Sequence, residues 1–100
     1  MVSAEIAMYR GPAGEAMVWV ARGTDEADAT DLTRRMVDSI SSGGSPFAQP
    51  RRVAGTAGVW TTNGMGQVHF FFSRGDAVWW LSADPNNARE ALAQLLEFAG

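Results

Sequence analysis

The chain has 100 residues, of which 46% are hydrophobic and 19% are charged, and a formal net charge of −3. This length suits one domain with one core, and the composition is that of a folded globular protein. The acidic balance excludes a surface that follows nucleic-acid phosphates, and the lack of cysteine excludes disulfides and thiolate metal sites. No apolar run approaches the ~20 residues of a membrane span, so we expect residues 1–100 to form one soluble domain, cytoplasmic or extracytoplasmic.

The first half of the chain predicts two strands and a helix. Residues 4–10 and 15–22 are strand-like apolar runs, joined by the turn formers Gly11-Pro12-Ala13-Gly14. The helix begins after Thr24 or Asp25, either of which can cap it, and acidic residues in its first turn favour its dipole. Its apolar side chains recur at helical spacing and form one stripe: Ala29, Leu32, Thr33, Met36, Val37 and Ile40.

The second half predicts further strands and a second helix. Residues 41–50 form a flexible loop between the halves, in which Phe47 is a candidate anchor. The second helix is capped by Asp84, begins at Pro85 and buries a stripe of alanine and leucine side chains. The strands are a short edge strand at 51–54 and three longer ones at 57–62, 66–73 and 76–82; the helix stripe comprises Ala88, Ala91, Leu92, Leu95, Leu96 and Ala99.

These elements predict an α+β fold with the order ββα-ββββα. The antiparallel sheet has five strands, or six if 51–54 is one of them, and we expect both helices to pack on one face of it. Residues 10–36 and 74–96 both run through a hairpin into a capped helix. This likeness indicates a hairpin–helix pseudo-repeat.

The predicted turns at Asn63-Gly64 and Arg74-Gly75 decide which side chains share a face of the sheet. A two-residue turn at Arg74-Gly75 pairs Phe70 with Trp79, so both side chains point to the core beneath the helices. Their neighbours then point to the opposite face, which carries several large aromatic side chains. Because contiguous exposed aromatic residues usually mark an interaction surface, we predict a binding site formed by Trp60, His69, Phe71, Val78 and Trp80.

Three arrangements could cover this aromatic face, and they lead to different functions. Sheet curvature or the loop 41–50, with Phe47, could cover it within the chain. A homodimer could bury it between two sheets, or a ligand or a second protein could bind it. The function predicted first is a non-enzymatic interaction or sensory domain that self-associates or binds a protein partner. The alternative is a small-molecule-binding protein, or a small enzyme, with an apolar pocket on the same face and His69 as its polar group.

Catalytic and metal-binding chemistry has little support in the sequence. His69 is the only histidine, and neither cysteine nor a second histidine accompanies it to form a triad or a metal-ligand set. A single histidine on a partly apolar sheet face is typically a hydrogen-bonded packing residue. We therefore expect no cofactor, no metal ion, no nucleic-acid partner and no catalytic residue.

Residues 66–98 run from an apolar strand through a tight turn into "AVWWLSADP" and then a helix rich in alanine and leucine. This third of the chain resembles the closing hairpin and helix of extracytoplasmic domains in bacterial anti-sigma-factor-like membrane proteins and lipoproteins. The resemblance implies a bacterial, non-enzymatic sensory or interaction module. It rests on the pattern of elements and not on a specific motif.

Overall fold

The computed structural model describes residues 3–11, 14–42, 47–56 and 58–99, with side chains from residue 16 to residue 97 within these ranges. It confirms the α+β class, the antiparallel sheet and the predicted order of elements. No helix of the described residues is long and apolar enough to cross a membrane. The elements are β1 (Ser3–Gly11), β2 (Gly14–Arg22), α1 (Glu26–Ser41), β3 (Arg51–Arg52), β4 (Trp60–Gly64), β5 (Gln67–Arg74), β6 (Ala77–Ala83) and α2 (Ala88–Ala99).

The sheet has the strand order β1-β2-β6-β5-β4-β3, and every neighbouring pair is antiparallel. Strand β3 contributes only two residues at one edge, so five strands form most of the sheet. The last strand, β6, lies between β2 and β5, and this insertion joins the N-terminal hairpin to the C-terminal strands. The central strands are therefore β2, β6 and β5, whose sequences are apolar at consecutive positions.

The hairpin turns lie one or two residues beyond their predicted positions. The central turn residues are Met65-Gly66 instead of Asn63-Gly64, and Gly75-Asp76 instead of Arg74-Gly75. Glycine occupies the left-handed region at Gly66 (φ +77°) and Gly75 (φ +57°), but in one turn it is the second central residue and in the other the first. The predicted β5–β6 pairing is wrong because Gly75 takes the first central position and not the second. The predicted β4–β5 pairing is wrong because the turn uses Gly66 and not Gly64.

In both hairpins the observed register differs from the predicted one by an even number of residues. Each side chain therefore still points to the predicted face of the sheet. Phe70 pairs with Leu81 and not with Trp79, yet all three still point to the same side of the sheet. We call this side the first face. The opposite side, which we call the second face, carries Phe71, Val78 and Trp80.

The prediction that both helices pack on one face is wrong. Helix α2 covers the first face, where Leu92 and Leu95 are buried in one cluster with Phe72. Helix α1 covers the second face, since its Leu32 and Met36 line a cavity together with second-face side chains. The physical reason is that both faces of the central strands are apolar, so each face needs its own helix to exclude water. The two hairpin–helix units consequently place their helices on opposite faces of the sheet. The pseudo-repeat is therefore limited to the order of the elements, because the two helices do not pack in equivalent positions.

The helix starts differ in how well the sequence predicts them. Asp25 caps α1 as predicted, and its carboxylate accepts a hydrogen bond from the Asp28 backbone N–H at 2.8 Å. Helix α2 begins at Ala88 and not at Pro85, because Asp84 forms a separate turn. The Asp84 carboxylate accepts from the Asn86 N–H, and its carbonyl accepts from the Asn87 N–H, both at 2.9 Å.

Candidate functional site

A cavity of about 570 Å³ lies between α1, Phe47 and the second face of the sheet. Its floor consists of alternate residues of β2, β5 and β6, which share this face because side chains alternate along a strand. Helix α1 forms one wall and the Met65 turn lies at the rim. The lining residues are Met17, Trp19, Ala21, Leu32, Met36, Phe47, Met65, Gln67, His69, Val78, Trp80 and Ser82.

An aromatic row crosses four strands beneath and beside this cavity. Trp19 pairs with Trp80, Trp80 pairs with Phe71, and Phe71 pairs with Trp60. Phe71 is fully buried, and its ring stacks on the Trp80 indole with centroids 5.3 Å apart and planes inclined by 13°. The row therefore has a buried middle and two accessible ends, and the cavity lies at the Trp19 end.

His69 lies beneath the cavity and has hydrogen-bond partners at both ring nitrogens. Its Nε2–H donates to the Gly64 carbonyl at 3.0 Å, because a carbonyl can only accept. Nδ1 then accepts from the Ser82 hydroxyl at 2.7 Å, and the same hydroxyl accepts from the Trp80 Nε1–H at 2.9 Å. In this neutral tautomer, the hydrogen bonds run in one series from Trp80 through Ser82 and His69 to Gly64, and each of these polar groups has a partner. The network fixes the Trp80 ring in place.

Phe47 closes one side of the cavity. Its ring meets His69 edge-on at a centroid distance of 5.0 Å and Trp80 at 5.6 Å. Two hydrogen bonds hold the following residue against β4: the Ala48 N–H donates to the Asn63 carbonyl at 2.8 Å, and the Thr62 hydroxyl donates to the Ala48 carbonyl at 2.6 Å. Phe47 thus anchors the chain on the second face. Residues 43–46 of the predicted flexible loop lie outside the described residues.

The mouth of the cavity is exposed and apolar. Met17 is 37% exposed, Trp19 47% and Met65 71%, and all three lie at this one site. Met65 also has a φ of +54°, a left-handed conformation that L-residues other than Asn and Asp seldom adopt. An exposed methionine in a strained backbone conformation has no evident structural benefit, and such strain is often found at binding sites.

The electrostatic character of the cavity is uniform. Among the described residues, no charged side chain lines it, and its polar side chains are Gln67, His69 and Ser82. His69 and Ser82 are buried, and their polar atoms form hydrogen bonds with each other and with neighbouring groups. The described part of the chain also contains no group of three or more acidic or histidine side chains that could hold a metal ion. The cavity can therefore exclude water and surround an apolar molecule, but it offers no ion pair.

The structure brings three of the five predicted site residues to this cavity. His69, Val78 and Trp80 line it, and Phe71 supports it from below without reaching it. Trp60 lies on the same face but outside the cavity, where the Arg52 guanidinium stands over its ring at 5.1 Å.

The remaining lining residues on β2 and α1 are absent from the predicted site. Trp19 and Met17 could have been found, because "AMVWVA" in β2 is apolar at consecutive positions just as β5 and β6 are. Leu32 and Met36 belong to the predicted helix stripe, but the sequence analysis places this stripe on the core face of the sheet. In the structure they are only half-buried, since they border the cavity.

No known family model, curated protein or solved structure matches this chain.

Proposed function

We propose that this chain is a non-enzymatic binding domain that takes an uncharged, apolar small molecule into the cavity under α1. The single observation that carries the proposal is the cavity itself, which measures about 570 Å³ and has an almost wholly apolar lining. Cavities of roughly 300–1,000 Å³ with apolar and aromatic walls are typical of small-molecule sites.

Under this proposal His69 orients neighbouring side chains and does not form a hydrogen bond with the ligand. Its ring is only 2% exposed, and both of its nitrogens are already hydrogen-bonded within the chain. Its contribution is to orient Ser82 and, through Ser82, the Trp80 indole. The resemblance of residues 66–98 to bacterial extracytoplasmic domains favours a sensory use of such binding.

The test uses N-phenyl-naphthylamine, an uncharged dye whose fluorescence rises in an apolar environment. Ala21 lines the cavity, so Ala21→Phe should fill part of it; Ala27→Phe places the same ring on an exposed position of α1 and is the matched control. We expect saturable binding of one dye by the wild type and by Ala27→Phe. Ala21→Phe should bind roughly tenfold more weakly or worse, a loss of at least about 1.4 kcal/mol.

Two results would refute the proposal. One is the lack of a saturable fluorescence increase with the wild type, and the other is equal binding by Ala21→Phe and the wild type. Circular dichroism melting of each variant establishes that a loss of binding is not a loss of fold. If Ala21→Phe does not fold, Leu32→Phe, from the helix side of the same cavity, takes its place.

A second candidate function is self-association, or binding of a protein partner, through the same site. The observation that favours it is the exposure of Met17, Trp19 and Met65 together at one mouth. A stable dimer would need to bury about 800 Å² on each partner, with a tryptophan as a typical anchor. Size-exclusion chromatography with light scattering separates the candidates. A dimer that Trp19→Glu converts to a monomer supports self-association, and a wild-type monomer at all concentrations contradicts it.

A further inference from the structure

The two faces of the Trp80 indole have different neighbours. Phe71 on β5 stacks on one face, with the ring planes inclined by only 13°. Trp19 pairs with Trp80 from the opposite side, because β2 and β5 flank β6. Two further rings contact the indole without stacking on it: Phe47 lies at a centroid distance of 5.6 Å with the planes inclined by 65°, and His69 lies at 5.4 Å with the planes inclined by 41°. Trp80 lines the cavity together with its β2 neighbour Trp19. The site thus presents an aromatic surface that continues the Phe71–Trp80 stack.

The groups around this surface suit the edges of a flat ring. Three methionines line the cavity: Met17 from β2, Met36 from α1 and Met65 from the turn between β4 and β5. Thioether sulfur is polarizable and makes favourable contacts with aromatic ring edges. A carboxylate or phosphate on the ligand would lose its hydration without gaining an ion pair, because the described lining carries no cation.

From these two observations we infer that the ligand of the cavity is an uncharged, planar aromatic molecule that stacks on Trp80 and extends the row of rings begun by Phe71. This inference rests on the apolar-ligand function proposed above and narrows its substrate class. Aromatic stacking contributes about 0.5–1.5 kcal/mol beyond the burial of apolar area. A saturated molecule of the same skeleton would gain the burial but not the stacking.

Two competitors that differ only in aromaticity provide the test. Naphthol and decahydronaphthol share one carbon skeleton and one hydroxyl, but the first is flat and the second is puckered and saturated. Each is used to displace N-phenyl-naphthylamine from the protein. We expect the wild type to bind naphthol roughly two- to tenfold more tightly than decahydronaphthol, which is the stacking contribution expressed as a ratio of dissociation constants.

Three tryptophan variants test whether the preference for naphthol arises from the aromatic surface formed by Trp80 and Trp19. Trp80→Leu should bring the ratio close to one, and Trp19→Leu should reduce it. Trp60→Leu, in the same aromatic row but outside the cavity, should leave it unchanged. The ratio is the readout because partial unfolding weakens the binding of both competitors by the same factor. If Trp80→Leu does not fold, the ratio measured with Trp19→Leu decides whether the preference for naphthol arises at this aromatic surface, because Trp19 is exposed.

The possible failures are distinguishable. If the wild type does not bind the dye, the proposed apolar-ligand function is wrong and this inference falls with it. If the dye binds but the wild type holds decahydronaphthol as tightly as naphthol, or neither competitor displaces the dye, the inference alone is overturned. An unchanged ratio in both Trp80→Leu and Trp19→Leu would also overturn it, since the preference would then arise elsewhere.

Discussion

At the scale of single residues, Met65 lies at the cavity mouth and destabilises the fold through its backbone conformation. A left-handed conformation costs an L-residue with a long side chain roughly 1–2 kcal/mol, and asparagine tolerates it far better. Nothing is gained from burial, because the side chain is 71% exposed. Folding therefore gives no reason for a methionine at this position, whereas the proposed binding function does.

Met65→Asn should consequently raise the free energy of unfolding by about 1 kcal/mol, because it creates an Asn-Gly turn of the type that hairpins prefer. Urea denaturation measures the change. Met65→Leu keeps the strained conformation and should stay within about 0.5 kcal/mol of the wild type. Equal stabilities of the two variants would show that the turn is not strained at this residue.

Asp28 provides the pH-dependent interaction at this scale. The Thr24 backbone N–H, which donates to the Asp28 carboxylate at 2.9 Å, lowers the pKa of this carboxyl below its ordinary value of 3.8. The unfolded chain then binds a proton more readily than the folded one, so stability from this group is present above pH 3.8 and is lost as pH falls through the lowered pKa. Asp28→Ala should thus be less stable than the wild type at neutral pH and approach it in acid.

Denaturation curves recorded at neutral pH and below pH 3.8 check this expectation. Asp38→Ala, near the other end of α1, is the control, since a carboxylate there does not interact favourably with the helix dipole. It should be as stable as the wild type or more stable. A destabilisation by Asp28→Ala that is independent of pH would show that the Thr24 hydrogen bond does not depend on the carboxylate charge.

At the scale of elements, the two helices have different roles. Helix α2 buries its stripe against the first face, and Leu92 and Leu95 are each only 6% exposed. Helix α1 buries the small residues Ala29 and Thr33, while the larger Leu32 and Met36 border the cavity. The first helix therefore borders the open cavity, and the second completes the core.

This difference predicts unequal costs for the same truncation. Leu92→Ala and Leu95→Ala should each lower the free energy of unfolding by roughly 2–5 kcal/mol, because each empties core volume. Leu32→Ala should cost about 1 kcal/mol, because its side chain already borders an open cavity. Urea unfolding of the variants measures the costs, and equal losses for Leu32 and Leu92 would mean that α1 packs as tightly as α2.

The elements could be predicted well because their local signals are strong: apolar strand runs bounded by turn glycines, and Asp25 as the cap of α1. The sequence did not predict which face receives α1, because the Ala29–Leu32–Met36 stripe fits any apolar surface. The cavity could not be predicted for the same reason, since it exists only where that stripe meets Trp19 and Trp80. Hydrophobic patterning identifies what must be covered, whereas tertiary packing decides how closely it is covered.

At the scale of the whole molecule, the aromatic second face is covered from within the chain but incompletely. Phe71 and Val78 are buried on this face, and the space between α1, Phe47 and Trp80 forms the cavity. The molecule is thus a sheet with a packed core on the first face and an open apolar cavity on the second, where we propose that a ligand binds. Because of this asymmetry, we expect residues on the two faces to respond differently to a bound ligand.

This difference between the faces is tested by methyl NMR spectra of protein labelled at leucine and methionine, recorded with and without N-phenyl-naphthylamine. We expect the methyl resonances of Leu32, Met17, Met36 and Met65 to move as the dye saturates the protein. Those of Leu92 and Leu95, on the other side of the sheet, should stay in place. Shifts confined to Leu92 and Leu95, or no shift at the four cavity residues under saturating dye, would contradict this expectation.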